Sequence, residues 1–413
     1  MAREEIICGL DLGSTMIRIV VGQKTEADNK IHVLGISEHP SEGIAKGVIT
    51  SIEDTVSSIS GALEKAERMT GLPVEHAFVG ISGAHITSIQ SHGVVAVSKA
   101  NGEIHEEEVE RVIEAAQSVA TPPNYETLHV IPRSFSVDNQ TGIKDPVGMT
   151  GIRLEVDAQI IQGLSSQIKN ITKCIYRTGL DIDDLILGVL ACAEAVITRR
   201  QKELGIALIN IGGATTSLAV FEEGDVIHTS ILPVGSGHIT NDIAIGLRTS
   251  IEVAEQVKLE FASCLPDEVN KRDEIDLAEI SPNETTVVSR RQIAEITEAR
   301  VEEIFTLADK ELKKIERSGL LPAGIVLTGG GAKLPGIVET AKRIFKLPST
   351  LGYPRDFVSS IDKISDPAFT TALGLLVWGM QATHRGRGFS GPSVTVIPQV
   401  VGRAKKWLRS LIP

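Results

Sequence analysis

The stretch Gly9–Gly22, GLDLGSTMIRIVVG, decides how the rest of the chain reads, because Leu208–Phe221, LINIGGATTSLAVF, echoes it. Each runs from an apolar strand through Asp- or Asn-x-Gly and small hydroxyl residues into a second apolar strand. Two such runs joined by a tight glycine turn form a hairpin, and its recurrence predicts two halves built from one duplicated unit. A turn of this composition aims backbone N–H groups and hydroxyls at phosphate oxygens. Glycine lets the anion approach the backbone, and a nearby carboxylate, here Asp11, holds a water on Mg²⁺. A third run, Gly329-Gly330-Gly331, sits where a strand passes to a helix, which also favours a nucleotide. Any one of these loops also reads as plain punctuation. Three in this order point to a nucleotide cleft.

Working outward, 413 residues are enough for two or more domains with full cores. A net charge of −12, with no Lys/Arg run before the C-terminal segment, argues against a general nucleic-acid binder. Cys8, Cys174, Cys192 and Cys264 are scattered without C-x-x-C spacing and read as reduced, buried thiols. The opening MAREEIICGLDLG reads as a first strand and not a signal peptide. Pro367–Thr383 is uncharged but short for a membrane span and carries three threonines, so it reads as a buried helix. SIEDTVSSISGALEKAERMTG, which opens on Ser51 with an acidic first turn and closes on Gly71, reads as a helix. Further helices are expected over Ser165–Gly179, Leu190–Leu204, Ile239–Ser263 and Arg291–Arg317. Residues 84–163 read as a small α+β insertion of short strands with one acidic helix, HEEEVERVIEAAQSVA, stopped by Pro122-Pro123. The scattered histidines show no metal-ligand spacing, so His85 and His129 read as structural.

Taken together, the three loops resemble the actin/Hsp70/sugar-kinase superfamily, whose two lobes clamp ATP between paired phosphate hairpins. GISGAHITSIQSHGVVAV, EIHEEEVERVIEAA, LHVIPRSFSVD and GIKDPVGMTGIRLEVDAQII are similar to the insert of the bacterial cell-division family FtsA. GSGHITNDIAIGL, EARVEEIF and DPAFTTALGLLVWG resemble other parts of the same family. The resemblance implies an α/β, actin-like two-lobed fold: duplicated ribonuclease-H-like subdomains, an α+β 1C insert and a C-terminal amphipathic helix. Subdomain 1A would comprise residues 1–83, 165–196 and 366–383, and 1C residues 84–164. Subdomain 2A would comprise 197–237 and 303–365, and 2B residues 238–302.

The resemblance further implies ATP held at Asp11, Gly13, Ser14, Thr15, Asn210, Gly212, Gly213, Thr215, Thr216, Gly235, Gly329, Gly330 and Gly331, with Mg²⁺ carried by the nucleotide near Asp11. Met16 stands where the family often has lysine, and Arg18 is the candidate replacement charge. Asn210 replaces the usual aspartate, and Gly188 stands where hydrolysing relatives place Glu or Gln, so hydrolysis is put in doubt more than binding. Glu255 and Lys258 match the helix that reaches the ribose in relatives; a solvated i, i+3 pair is the other reading. Arg300 and Glu303 match the region that binds the C-terminal peptide of FtsZ, or else decorate a helix face. The implied role is a filament under the cytoplasmic membrane at the division site, tethering the FtsZ ring and meeting later division proteins through the insert. A pilus-assembly actin homologue lacks the tail and DPVGMTGIRLE; a sugar or acetate kinase needs a catalytic base that Asn210 and Gly188 do not supply.

The chain closes on Val400–Pro413, VVGRAKKWLRSLIP. On a helix, Val400, Val401, Ala404, Trp407, Leu408 and Leu411 share one face, with Arg403, Lys406 and Arg409 opposite. There is no acidic residue after Asp366, and residues 384–399 read as a linker. Such a helix lies on an anionic membrane surface, unless it docks on the protein's own body.

Overall fold

The computed structural model describes residues 6–25, 30–98, 101–282 and 284–385. The linker from residue 386 onward and the tail residues Arg403, Lys406, Trp407, Leu408, Arg409 and Leu411 lie outside the described residues.

Val- and Ile-rich runs form strands, the central ones buried on both faces, and they build two sheets of one topology. The first runs Asp181–Leu187, His76–Ile81, Ile6–Leu12, Met16–Lys24, Ile31–Pro40, Phe357–Val358. The second runs Asp225–Leu232, Thr216–Glu222, Ile206–Ile211, Ile325–Thr328, Ser349–Leu351. In each, a three-stranded antiparallel meander continues from its first strand into parallel strands. The turns correspond as well: Leu12 opposes Ile17 around Gly13–Thr15, and Ile211 opposes Thr216 around Gly212–Thr215. The duplicated unit expected from the sequence is present.

Helix Ile52–Thr70 begins and ends as its sequence predicts: Ser51 Oγ accepts from the Asp54 amide, and Gly71 turns left-handed at φ 70°. Two longer helical readings fail at hydroxyl caps. The run Ile239–Ser263 is two helices, Ser236–Leu247 and Ile251–Phe261, because Arg248 turns left-handed and Ser250 starts a new helix. Leu190–Leu204 divides likewise into Gly188–Val196 and Arg199–Leu204, where Thr198 and Gln201 form a capping box.

The insertion is α+β, but three of its strands are long: Ile86–Ala96, Tyr125–Val137 and Arg153–Leu164, joined at the edge by Gln140–Ile143. Polar residues facing solvent interrupt their apolar runs, which hid their length. Helix Glu106–Ala120 covers one face around a separate small core including Ile104, Val112, Leu154 and Val156.

Helix Thr370–Arg385 packs against Gly188–Val196, and a Cβ on Gly374 would lie 1.9 Å from the Ala191 carbonyl oxygen. Only glycine permits that approach. Among the described residues no helix is long and apolar enough to cross a membrane. All four cysteines are free and buried.

His129 anchors the insert to this helix pair. Its Nε2 accepts from the Leu187 amide at 2.9 Å, and its ring lies 5.8 Å from that of Trp378. Burial pushes its pKa down to about 4. His85 is buried too, with neither ring nitrogen hydrogen-bonded among the described residues.

Candidate functional site

The two glycine–hydroxyl turns meet face to face. A Cβ on Gly213 would lie 2.3 Å from Thr15 Oγ1, so the turns touch where only glycine fits. The Gly212 and Gly213 carbonyls accept from the amides of Ser236 and Gly237, at 2.8 and 2.7 Å. That seats the N-terminus of helix Ser236–Leu247 on the second turn. Gly235 is forced by the same packing, since its Cβ would lie 2.5 Å from the Gly212 oxygen.

The third loop joins them. Gly329 takes a left-handed φ of 87° directly beside Asn210, where a Cβ would lie 2.3 Å from Oδ1. Gly331 packs on Ile211, whereas Gly330 has its nearest neighbour, Ala368 Cβ, at 3.9 Å. The sequence-predicted residues Gly13, Ser14, Thr15, Asn210, Gly212, Gly213, Thr215, Thr216, Gly329, Gly330 and Gly331 thus fall on or beside three loops at one end of the two hairpins, and Gly235 joins them from the N-cap of helix Ser236–Leu247.

Charge in this region is concentrated on a cross-strand row. Asp11 opposes Arg18 and Arg18 opposes Glu38. Arg18 Nε stands 3.6 Å from Glu38, and its guanidinium lies 5.4 Å from the Phe369 ring centroid. Burial pushes the Asp11 carboxyl up to about 6, with Arg18 pulling the other way. Arg18 thus lies between two carboxylates, Asp11 and Glu38, on neighbouring strands.

Asn210 and Gly188, the two positions at which the resemblance puts hydrolysis in doubt, both face the first turn of helix Thr370–Arg385. Asn210 Nδ2 donates to Thr371 Oγ1 at 3.3 Å, engaging the first turn of helix Thr370–Arg385. Gly188 starts its helix with no functional group, and a Cβ there would meet Thr371 Cγ2 at 3.3 Å. Thr328 Oγ1 and Thr370 Oγ1 add a second tie, at 3.2 Å. Nothing local in the sequence marks Thr370 or Thr371 as partners of residues so distant along the chain.

Glu255 and Lys258 are no solvated pair. Lys258 is buried, its Nζ 2.6 Å from Glu255 Oε2 and 2.8 Å from Thr240 Oγ1, and Thr240 donates to the same carboxylate at 2.5 Å. The three lock helices Ser236–Leu247 and Ile251–Phe261 together. Thr240, within GSGHITNDIAIGL, is the member that sequence reading missed.

Arg300 and Glu303 form a second, separate feature. They lie on helix Arg290–Lys314, along a groove with Asp242, Ile245, Ile296 and Ala299. Asp242 holds Arg300 bidentately, at 2.5 and 2.8 Å, and Glu303 takes the remaining Nη1. Gly246 allows Ile296 close, while Ile245 is 77% exposed at the groove's rim. No local spacing marks Asp242 as the partner of Arg300, 58 residues away.

Two sheets of one topology, glycine–hydroxyl turns apposed between them and a pair of crossing helices at their junction define an actin-like, two-lobed protein. Solved structures agree on that fold. A PilM–PilN type IV pilus biogenesis complex superposes with a TM-score of 0.67 at 15% identity, covering 90% of this chain and 98% of that one. MreB5 of Spiroplasma citri bound to ADP gives 0.56 at 15% identity, covering 93% and 99%. The family model for cell division protein FtsA matches residues 207–374, and that for the SHS2 domain inserted in FtsA matches 83–162. Cell division protein FtsA of Pseudomonas aeruginosa is 40% identical, covering 98% of both chains. Those of Bacillus subtilis and Escherichia coli are 38% and 31% identical, covering 96% and 98% of this chain and 89% and 98% of theirs. The chain belongs to the FtsA family of cell division proteins.

Proposed function

We propose that this cell-division protein binds ATP with Mg²⁺ at the three convergent loops and forms filaments on the cytoplasmic face of the membrane at the division site. There it ties the FtsZ ring to the membrane and meets later division proteins through its insert. The convergence of three glycine loops on one place carries the nucleotide reading. The residues present fit the ligand: the turns offer backbone without side chains, and Thr216 Oγ1 and Arg18 Nε are buried without a hydrogen bond among the described residues. Gly13, Ser14, Thr15, Gly212, Gly213 and Thr215 would hold phosphates, with Arg18 supplying charge and Glu255 with Lys258 the ribose side. Bound Mg²⁺ would neutralise phosphate charge near Asp11. Asn210, spent on Thr371, and Gly188, without a functional group, support slow turnover. The subdomain limits 1–83, 84–164, 165–196, 197–237, 238–302, 303–365 and 366–383 belong to the same reading.

The groove at Arg300 suits a short peptide with an apolar anchor for Ile245 and Ile296 and a charge for its rim. Arg300→Glu places three carboxylates together with Asp242 and Glu303. We expect binding of the FtsZ C-terminal peptide to weaken about tenfold, roughly 1.4 kcal/mol, with the fold retained. A titration giving unchanged affinity would remove Arg300 from the interface.

The C-terminal segment supplies the membrane attachment in this reading. Each Lys or Arg near an anionic surface adds about 1 kcal/mol, screened by salt. One such helix binds weakly, and many aligned in a filament bind by avidity. In vesicle sedimentation, Trp407→Glu and deletion of residues 400–413 are each expected to leave the protein in the supernatant. Pelleting at the parent's level by either variant contradicts the membrane role.

A further inference from the structure

Both phosphate hairpins are tied to the same two residues, Ser82 and Gly83, through which the chain leaves the first lobe for the insert. From the first hairpin, Ser14 Oγ accepts from the Gly47 amide at 3.0 Å. Gly47 sits at the tip of the small hairpin Ile44–Ala45/Val48–Ile49 with a left-handed φ of 74°. It presses so closely on the insert's root that a Cβ would lie 1.7 Å from the Ser82 carbonyl oxygen and 2.5 Å from Gly83 Cα. From the second hairpin, Ser217, the residue after Thr216, shares a hydroxyl–hydroxyl hydrogen bond with Ser82 at 2.9 Å. Beyond the root, the buried His85 ring packs between Gly83 and Gly163, where the chain comes back from the insert.

We propose that Ser82–Gly83 is a relay through which the state of the two phosphate hairpins sets the orientation of the inserted domain on the body. The inference rests on the nucleotide reading above and adds its regulation. Ser14 commits an oxygen lone pair to the Gly47 amide, which leaves its O–H to donate to a phosphate oxygen. A hydroxyl that donates becomes a better acceptor, so phosphate binding tightens the Gly47 contact. At these distances the chain has no slack, and movement of the hairpin tip displaces the 82–83 peptide. The second hairpin pulls on the same peptide through Ser217. The insert is also seated through the His129 socket, which serves as a pivot, through Leu128, Ile131 and Ile161 in the core around the first sheet, and through ion pairs of Glu126 with Lys169 and of Lys144 with Asp225 on the second lobe. Such a coupling makes the surface offered by the insert depend on what the hairpins hold.

The test uses spin labels at Ile152→Cys on the insert and Leu259→Cys on the second lobe, positions 78% and 72% exposed. The four native cysteines are buried and escape labelling. Distances are measured by pulsed electron paramagnetic resonance on the full chain, with and without a non-hydrolysable ATP analogue and Mg²⁺. The expected result is a shifted distance on binding, lost in Ser82→Ala and in Ser217→Ala while analogue affinity stays within about threefold of the parent's. Binding without a shift in the parent overturns the relay, as does a shift preserved in both variants and in the double variant. Variants that lose binding would make the serines part of the binding site and overturn it too. If the parent itself shows no analogue-induced thermal stabilisation, the nucleotide reading fails, and the relay fails with it.

Discussion

Gly213→Val is expected to remove most of the stabilisation by nucleotide while leaving the nucleotide-free protein folded. The added side chain would begin 2.3 Å from Thr15 Oγ1, well inside contact, so the apposed turns must part. A site assembled from both turns cannot keep its geometry when they separate, and we expect an affinity loss of about a hundredfold, near 2.7 kcal/mol. At a free ATP·Mg²⁺ concentration of about 100 times the dissociation constant, the parent gains about 2.7 kcal/mol of stability. At the same concentration the variant should gain only about 0.4 kcal/mol. Urea unfolding with and without ligand reads both numbers. Equal gains for parent and variant would place the nucleotide elsewhere.

The second large effect concerns acid stability. His129 has its folded pKa pushed down to about 4 by burial, below the ordinary value of 6.5. Between these values the unfolded chain binds the proton and the folded one does not. Its contribution is therefore fully present above pH 6.5 and is lost as pH falls toward 4, by about 3 kcal/mol in total. Protonation at Nε2 would also remove the acceptor used by the Leu187 amide. Asp11 and Asp184, both raised to about 6 by burial, act in the opposite sense over an overlapping range. A comparison with His129→Phe isolates the histidine. At pH 7.5 the variant should be less stable by about 1–3 kcal/mol, because the Leu187 amide loses its acceptor. That gap should close as pH falls from 6.5 to 4. A gap independent of pH would mean that His129 is not held neutral by its socket.

What was legible in the sequence was legible because it is local. Asp11 to Arg18 and Asn210 to Ser217 each contain strand, turn and strand within a few residues, so the hairpins declare themselves. Ser51 and Gly71 do the same for their helix. The breaks at Thr198 and Arg248 were missed because an apolar periodicity continues across them; at Thr198 the competing signal, a capping hydroxyl, was in plain view. The insert's strands looked short because half of each faces water. The residues that complete the sites, Asp242 beside Arg300, Thr371 beside Asn210 and Ser82 beside Ser217, are brought together only by tertiary structure. No spacing rule reaches them. For Glu255 and Lys258 the sequence left two readings, and the burial of Lys258 against Thr240 removes the solvated one.

The way the first sheet is sewn together has a consequence for the order in which the newborn chain can fold. Its edge strand Phe357–Val358 pairs with Ile31 and His32, and Ser359 Oγ donates to the Val33 carbonyl, 326 residues back along the chain. Its inner face is sealed by helix Thr370–Arg385, which comes so close that a Cβ on Gly9 would lie 2.4 Å from the Ala372 oxygen. The second sheet, by contrast, draws all its strands from Ile206 to Leu351. On the ribosome, the half made first must therefore wait, with an apolar face uncovered, until the half made second has emerged. The later half is free to fold first and so becomes the template on which the earlier one closes.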